Sequence, residues 1–193
     1  MKAVLLSIQP YYLFLIIAKK MGWNIDKEKT VEVRKTFPKD ENWNKVVKMY
    51  CTKSKNSFSK IPEQYQPLMK QFLGKVAAEF ICDDISKNFV GYRLGVEGYF
   101  KLKDVAGLTM GELMDYGCWE ILFGWHISDL VIYDEPKELR EFYNLCFSGC
   151  DNCKYQSWDY SYGGGKDLIC AVRHQKPIKR PPQSWCYVEA LSQ

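Results

Sequence analysis

The chain has 193 residues, of which 47% are hydrophobic and 26% charged, an ordinary globular balance that excludes disorder and a fibrous architecture. The net charge is only +4, but residues 1–60 hold 13 Lys or Arg against 5 Asp or Glu, an excess of eight that leaves the remainder at −4. A basic first third fits a phosphate-bearing partner, and equally a solvated lysine surface.

Met1-Lys2 followed by the apolar Ala3–Ala18 has the outline of a signal peptide. Ser7, Gln9 and Pro10 interrupt the run, no small-residue cleavage site follows, and the stretch is short of the roughly 20 apolar residues that cross a bilayer. A cytoplasmic protein without a membrane partner is therefore expected.

The elements read as follows in chain order. Ala3–Ile8 is a compact apolar run and predicts a first, buried strand. Pro10 suits the first turn of a helix that continues to Met21, with Gly22 as its stop. Thr30–Arg34 alternates with period two and predicts a second strand; Val46–Cys51 predicts a third. Ser54–Ser59 is a turn, Pro62–Phe72 a short helix, and Gly74–Ile85 one long strand. Lys87–Leu108 is irregular. Thr109 and Glu112 have the spacing of a capping box, opening a helix that ends at Tyr116. Gly124–Tyr133 reads as a strand, Pro136–Tyr143 as a helix, residues 146–182 mostly as a loop insertion, and Ser184–Glu189 as a closing strand. No linker divides the chain. Strands outnumber short helices, so the expectation is a single α+β domain, residues 1–193, built on a small barrel.

Three groups of residues could carry chemistry. On a strand, Glu32 and Arg34 share one face, with Lys29 at the loop-to-strand junction. A carboxylate beside a guanidinium donates and accepts forked hydrogen bonds, which suits a base or a phosphate. Residue types alone leave open an exposed, salt-bridged strand. The second group is Cys146, Cys150, Cys153 and Cys170. Cys150-x-x-Cys153 has the bite of a zinc site, with His174 as an alternate ligand. One structural zinc, reduced thiols and a disulfide all remain open. Cys51, Cys82, Cys118 and Cys186 stand alone and read as buried thiols. Third, Trp125 in Gly124-Trp125-His126 could stack a base or belong to the core. Gly163–Gly165 lacks the Lys-Ser or Lys-Thr ending of a phosphate loop.

Leu6-Ser-Ile-Gln-Pro10, then a helix, then Lys29-x-x-Glu32-x-Arg34, resembles the ASCH family. Its signature is a Ser-Ile-x-Pro strand end, a helix, and a Gly-x-Lys-x-x-Glu-x-Arg stretch. Gly124–Tyr133 and Arg180–Val188 resemble later segments of phage-like and bacterial members. The resemblance implies a PUA-like β-barrel with short flanking helices. It also implies a basic cleft formed by Lys29, Glu32 and Arg34 beside Ser7, Gln9 and Pro10, holding RNA or a nucleotide-like ligand. Lys27 stands at the family's glycine position, and residues 21–28 form a longer connection. Some small relatives are similar to acetylcytidine amidohydrolases, which use a lysine, a threonine and a glutamate. Lys29 matches that lysine, while Glu32 occupies the threonine position. Lys29 and Glu32 are thus the catalytic candidates should the chain be an enzyme, a hydrolase of a modified nucleoside or a ribonuclease. A protein-interaction module docking through the cysteine loop is the third alternative. Arg34 is expected to serve recognition more than folding.

Overall fold

The structure, a computed structural model, describes residues 2–40, 43–88, 102–117, 121–142, 156–159, 167–170 and 181–189, with the side chains of 88, 156–159, 167–170 and 189 left aside. A five-stranded sheet has the order β10-β1-β3-β4-β7: β10 is Trp185–Glu189, β1 Lys2–Ile8, β3 Val46–Cys51, β4 Lys75–Ile81 and β7 Ser128–Glu138. The β1–β3 pair is parallel and the other pairs are antiparallel. A second, antiparallel sheet has the order β2-β6-β5, from Val31–Arg34, Leu122–His126 and Ile85–Asn88. Mixed sheets with short helices confirm the α+β expectation. Among the described residues the ladders form separate sheets and do not close into a barrel, because no described strand joins the edges of the two.

The parallel β1–β3 pair explains why β1 reads as an unbroken apolar run. Val4, Leu6 and Ile8 enter the main core, whereas Ala3 and Leu5 enter a second core on the opposite face with Tyr50, Val76, Leu139, Phe142 and Val188. Helix α1 (Pro10–Ile17) lies across the main core. Pro10 at its start loses no hydrogen bond there. The helix is shorter than expected, and Ala18–Gly22 is a hydrogen-bonded turn in which Gly22 takes φ +68°. A third core, Val33, Leu102, Ala106, Leu108, Leu113 and Leu122, fills the space between the small sheet and two helical segments. These are α4 (102–106) and α5 (Met110–Gly117). The capping box is present: Thr109 N donates to Glu112 Oε2 at 2.9 Å and Glu112 N to Thr109 Oγ1 at 3.2 Å.

Several elements differ from the sequence reading. The expected strand Gly74–Ile85 is two strands in two sheets, separated by Cys82–Asp84. Ser54–Ser59 contains one helical turn, α2 (Lys55–Phe58), and 62–72 holds a 3-10 turn followed by α3 (Gln66–Lys70). Over its described residues, 136–142, the helix expected for Pro136–Tyr143 is absent. Strand β7 runs through Pro136 to Glu138, and only Leu139–Glu141 turns, as a 3-10 element. Pro136 is tolerated because β7 is an edge strand and its ladder with β4 is irregular between the Ala78–Ile132 and Val76–Lys137 pairs. The loop insertion contains an antiparallel pair, β8 (Gln156–Asp159) with β9 (Asp167–Cys170). No helix of the described residues is long and apolar enough to cross a membrane.

Candidate functional site

A cleft of about 290 Å³ opens where three pieces of chain meet. Ser7, Gln9 and Tyr12 come from the β1–α1 corner, Lys29, Glu32 and Arg34 from β2 and the residues before it, and Leu108, Glu112, Asp115 and Tyr116 from α5 and its approach. The period-two geometry of β2 buries Val33 in the third core, where it also touches the cleft floor, and turns Glu32 and Arg34 to the cleft side.

Arg34 is the central brace. Its Nη2 donates to the Ser7 carbonyl at 2.6 Å and lies 2.8 Å from Glu32 Oε1. Ser7 is itself fixed, because its hydroxyl donates to the Pro182 carbonyl at 2.7 Å and its N–H to Ser184 O at 2.9 Å. The expectation that Arg34 serves recognition more than folding left this brace out of account. Arg34 also joins β2 to β1.

Lys29 is buried, with 2% of its side chain exposed. Its ammonium donates to the carbonyls of Val31 (2.9 Å) and Ala106 (2.8 Å) and lies 3.2 Å from Glu32 Oε2, above the Tyr12 ring. Burial lowers its pKa below the usual lysine value; the Glu32 carboxylate opposes that shift without cancelling it. Glu32 Oε2 is buried and ion-paired with that ammonium, whereas the buried Arg34 Nε donates no hydrogen bond. A buried guanidinium nitrogen without an acceptor is costly, and such groups occur at functional sites. The Tyr12 phenol is pushed up to about 12 by burial and by the charges of Glu112 and Glu32, so it stays protonated and able to donate. Glu112 is held below the ordinary carboxylate range by the Thr109 N–H, reinforced by the Thr109 hydroxyl and by Lys60.

Of the sequence-derived candidates, the structure brings Ser7, Gln9, Lys29, Glu32 and Arg34 together. Pro10 is buried and does not line the cleft. Trp125 is fully buried, with ring centroids 6.4 Å from Trp43 and 6.0 Å from Trp185, so neither face is open to a base. Cys146, Cys150 and Cys153 lie outside the described residues. Cys170 is described only as a backbone position paired with Gln156 in β9. Among the described residues no cluster suited to a metal ion occurs. Cys51 and Cys82 are buried free thiols; Cys186 is partly buried, and Cys118 is outside the described residues.

The lining also corrects the idea of a basic cleft. Lys29 and Arg34 face three carboxylates, Glu32, Glu112 and Asp115. Sequence reading missed Tyr12 of α1 and the lining residues of α5 and its approach. The α5 signal was present in part: the capping-box spacing placed Glu112, Asp115 and Tyr116 on neighbouring positions of one helix face, but nothing local located that face against β2.

The mixed sheet, the second small sheet and the short helices make an α+β fold similar to that of a solved ASCH protein. Among solved structures the chain is similar to the ASCH protein from Zymomonas mobilis, with a TM-score of 0.51 and 15% identity over 97% of this chain and 87% of that one. Two single-residue mutants of an ASCH protein from the same organism also match. One has a TM-score of 0.46 and 17% identity over 72% of this chain and 77% of that one; the other has 0.45 and 13% over 97% and 88%. At such identities the likeness is one of fold. No protein-family model matches the chain, and no curated protein matches its sequence.

Proposed function

We propose that the chain binds a nucleotide-like ligand, free or carried on an RNA strand, and that the cleft reads its base. The observation that carries this reading is the Glu32–Arg34 pair, 2.8 Å apart and about nine-tenths buried in the wall of the cleft. A carboxylate accepts from exocyclic amino groups and a guanidinium donates to ring nitrogens and carbonyls, so the pair complements a base edge that carries both. The Tyr116 ring on the opposite wall offers a surface for stacking. With three carboxylates to two cations, the lining suits a polar base better than a polyphosphate.

Titration of a mixed-sequence RNA oligonucleotide and of the four common nucleosides, at several salt concentrations, tests this. Saturable binding weakened by Glu32→Gln and Arg34→Lys is expected. Absence of binding by every probe at millimolar concentration overturns the reading.

A hydrolase acting on an acylated nucleoside is the second reading. It is supported by the lowered pKa of the buried Lys29 beside Glu32, a pattern common in catalytic sites. The engagement of Lys29 with two carbonyls and Glu32 counts against it. Release of acetate from N4-acetylcytidine, abolished by Lys29→Met, would decide for it.

A further inference from the structure

We propose that Glu112 and Asp115 are specificity residues that exclude phosphate, so that the cleft takes an unphosphorylated nucleoside or an exposed base and leaves phosphate groups outside. This rests on the reading of the cleft as a base-binding site and names which member of that class it accepts.

Both carboxylates line the cleft on α5, three positions apart, facing the β2 wall. Glu112 is not free to swing away. Its Oε2 accepts from the Thr109 N–H at 2.9 Å and from the Thr109 hydroxyl at 3.0 Å, and its Oε1 lies 3.6 Å from Lys60. A capping box thus fixes one negative charge at the mouth of the cleft. On the other wall the cations are already engaged. Arg34 Nη2 is divided between Ser7 O and Glu32 Oε1, and Lys29 between two carbonyls and Glu32. At the rim, Lys60 is drawn to Glu112, and Lys35 lies over the Tyr116 ring at 5.6 Å. A phosphate entering here meets three carboxylates, Glu32, Glu112 and Asp115, against two interior cations that are each already ion-paired with Glu32. A neutral ligand with amino groups meets the carboxylates of the lining, Glu112 and Asp115 among them, as acceptors instead.

The experiment compares the four nucleosides with their 5′-monophosphates by calorimetric titration at low salt, in the full chain and in the Glu112→Gln/Asp115→Asn variant. Gln is compatible with the capping box, and Asn matches Asp in size, so the helix is retained. The full chain is expected to bind its preferred nucleoside about tenfold or more tightly than the matching monophosphate, the gap narrowing as salt rises. In the double variant the gap is expected to shrink to about threefold or less. Equal or tighter binding of the monophosphate by the full chain overturns the inference and leaves the base-binding reading standing. A gap that persists unchanged in the double variant overturns the assignment to α5. Failure of nucleosides and monophosphates alike overturns both.

Discussion

The Arg34 guanidinium lies 2.6 Å from the carbonyl oxygen of Ser7, and this bond carries β2 onto the end of β1. The same nitrogen pairs with Glu32, so Arg34 closes the cleft and balances its buried carboxylate at once. Removing one member of a buried pair costs about 3–5 kcal/mol because the other charge is left uncompensated. Arg34→Ala is therefore expected to lower stability by about 3 kcal/mol in urea unfolding, near the low end because Lys29 still faces Glu32. Adding Glu32→Gln to that variant should restore at least about 1 kcal/mol. Additive losses would mean that the two side chains do not act as a pair.

Gly107 couples the helical wall to Lys29. It has φ +63°, and a Cβ placed there would lie 2.9 Å from Leu15 Cδ1 and 3.5 Å from Lys29 Cβ. The preceding carbonyl, Ala106 O, is one of the two that hold the Lys29 ammonium. Gly107→Ala is expected to cost about 1–3 kcal/mol through the left-handed backbone and the close contact. It should also weaken nucleoside binding, through displacement of Lys29. A variant with unchanged melting temperature and affinity would show that this turn does not position the site.

These two cases mark what the sequence discloses. The Glu32–Arg34 face follows from strand periodicity, and the α5 start from the Thr109–Glu112 spacing, since both are local rules. The hydrogen bond from Lys29 to Ala106 spans 77 positions, and no local pattern encodes it. For the same reason the carboxylates of α5 could not be placed in the cleft beforehand, and the lysine-rich first third suggested a basic site. The split of Gly74–Ile85 into β4 and β5 was hidden by the apolar residues on both sides, although Asp83-Asp84 marked the break. Pro136 suggested a helix start because edge-strand irregularities are set by the partner strand. The single strand expected over Gly124–Tyr133 is two, β6 and β7, in different sheets; Trp125 is on β6, and what encloses its ring depends on Trp43 and Trp185, both distant in sequence.

Trp125 separates core from site. Its indole N–H is buried without a partner, and the residue does not line the cleft. Trp125→Phe deletes that unpaired donor but leaves a smaller ring in a packed position, so a loss of about 1–2 kcal/mol is expected. Nucleoside affinity should stay within about twofold of the unaltered chain, since a difference below about 0.4 kcal/mol corresponds to that factor. A large loss of affinity at unchanged stability would place the indole in ligand contact.

The buried thiols give the fold a defined alkaline limit. Burial pushes Cys51 up to about 12, and it pushes Cys82 up to about 12 with help from Asp83 and Asp84, against an unfolded value near 9.0. An acid whose pKa is raised by folding favours the folded state while it stays protonated. Below pH 9 both states hold the proton and the contribution is fully present. Above pH 9 the unfolded chain loses its thiol protons first, and stability falls by about 1.4 kcal/mol per pH unit for each thiol until the folded value near 12 is reached. Tyr12, also raised, acts in the same direction above its ordinary value of 10.0. Lys29, lowered by burial, acts in the opposite direction, because the cost of burying its charge disappears as it deprotonates. Two thiols outweigh one lysine over this range. Urea unfolding from pH 7 to 11 is expected to show a plateau followed by a steep decline above pH 9. In Cys51→Ala/Cys82→Ala the protein should be less stable at pH 7, through the cavities, but its decline above pH 9 should be clearly shallower. Parallel curves for the two proteins would mean that other groups set the alkaline limit.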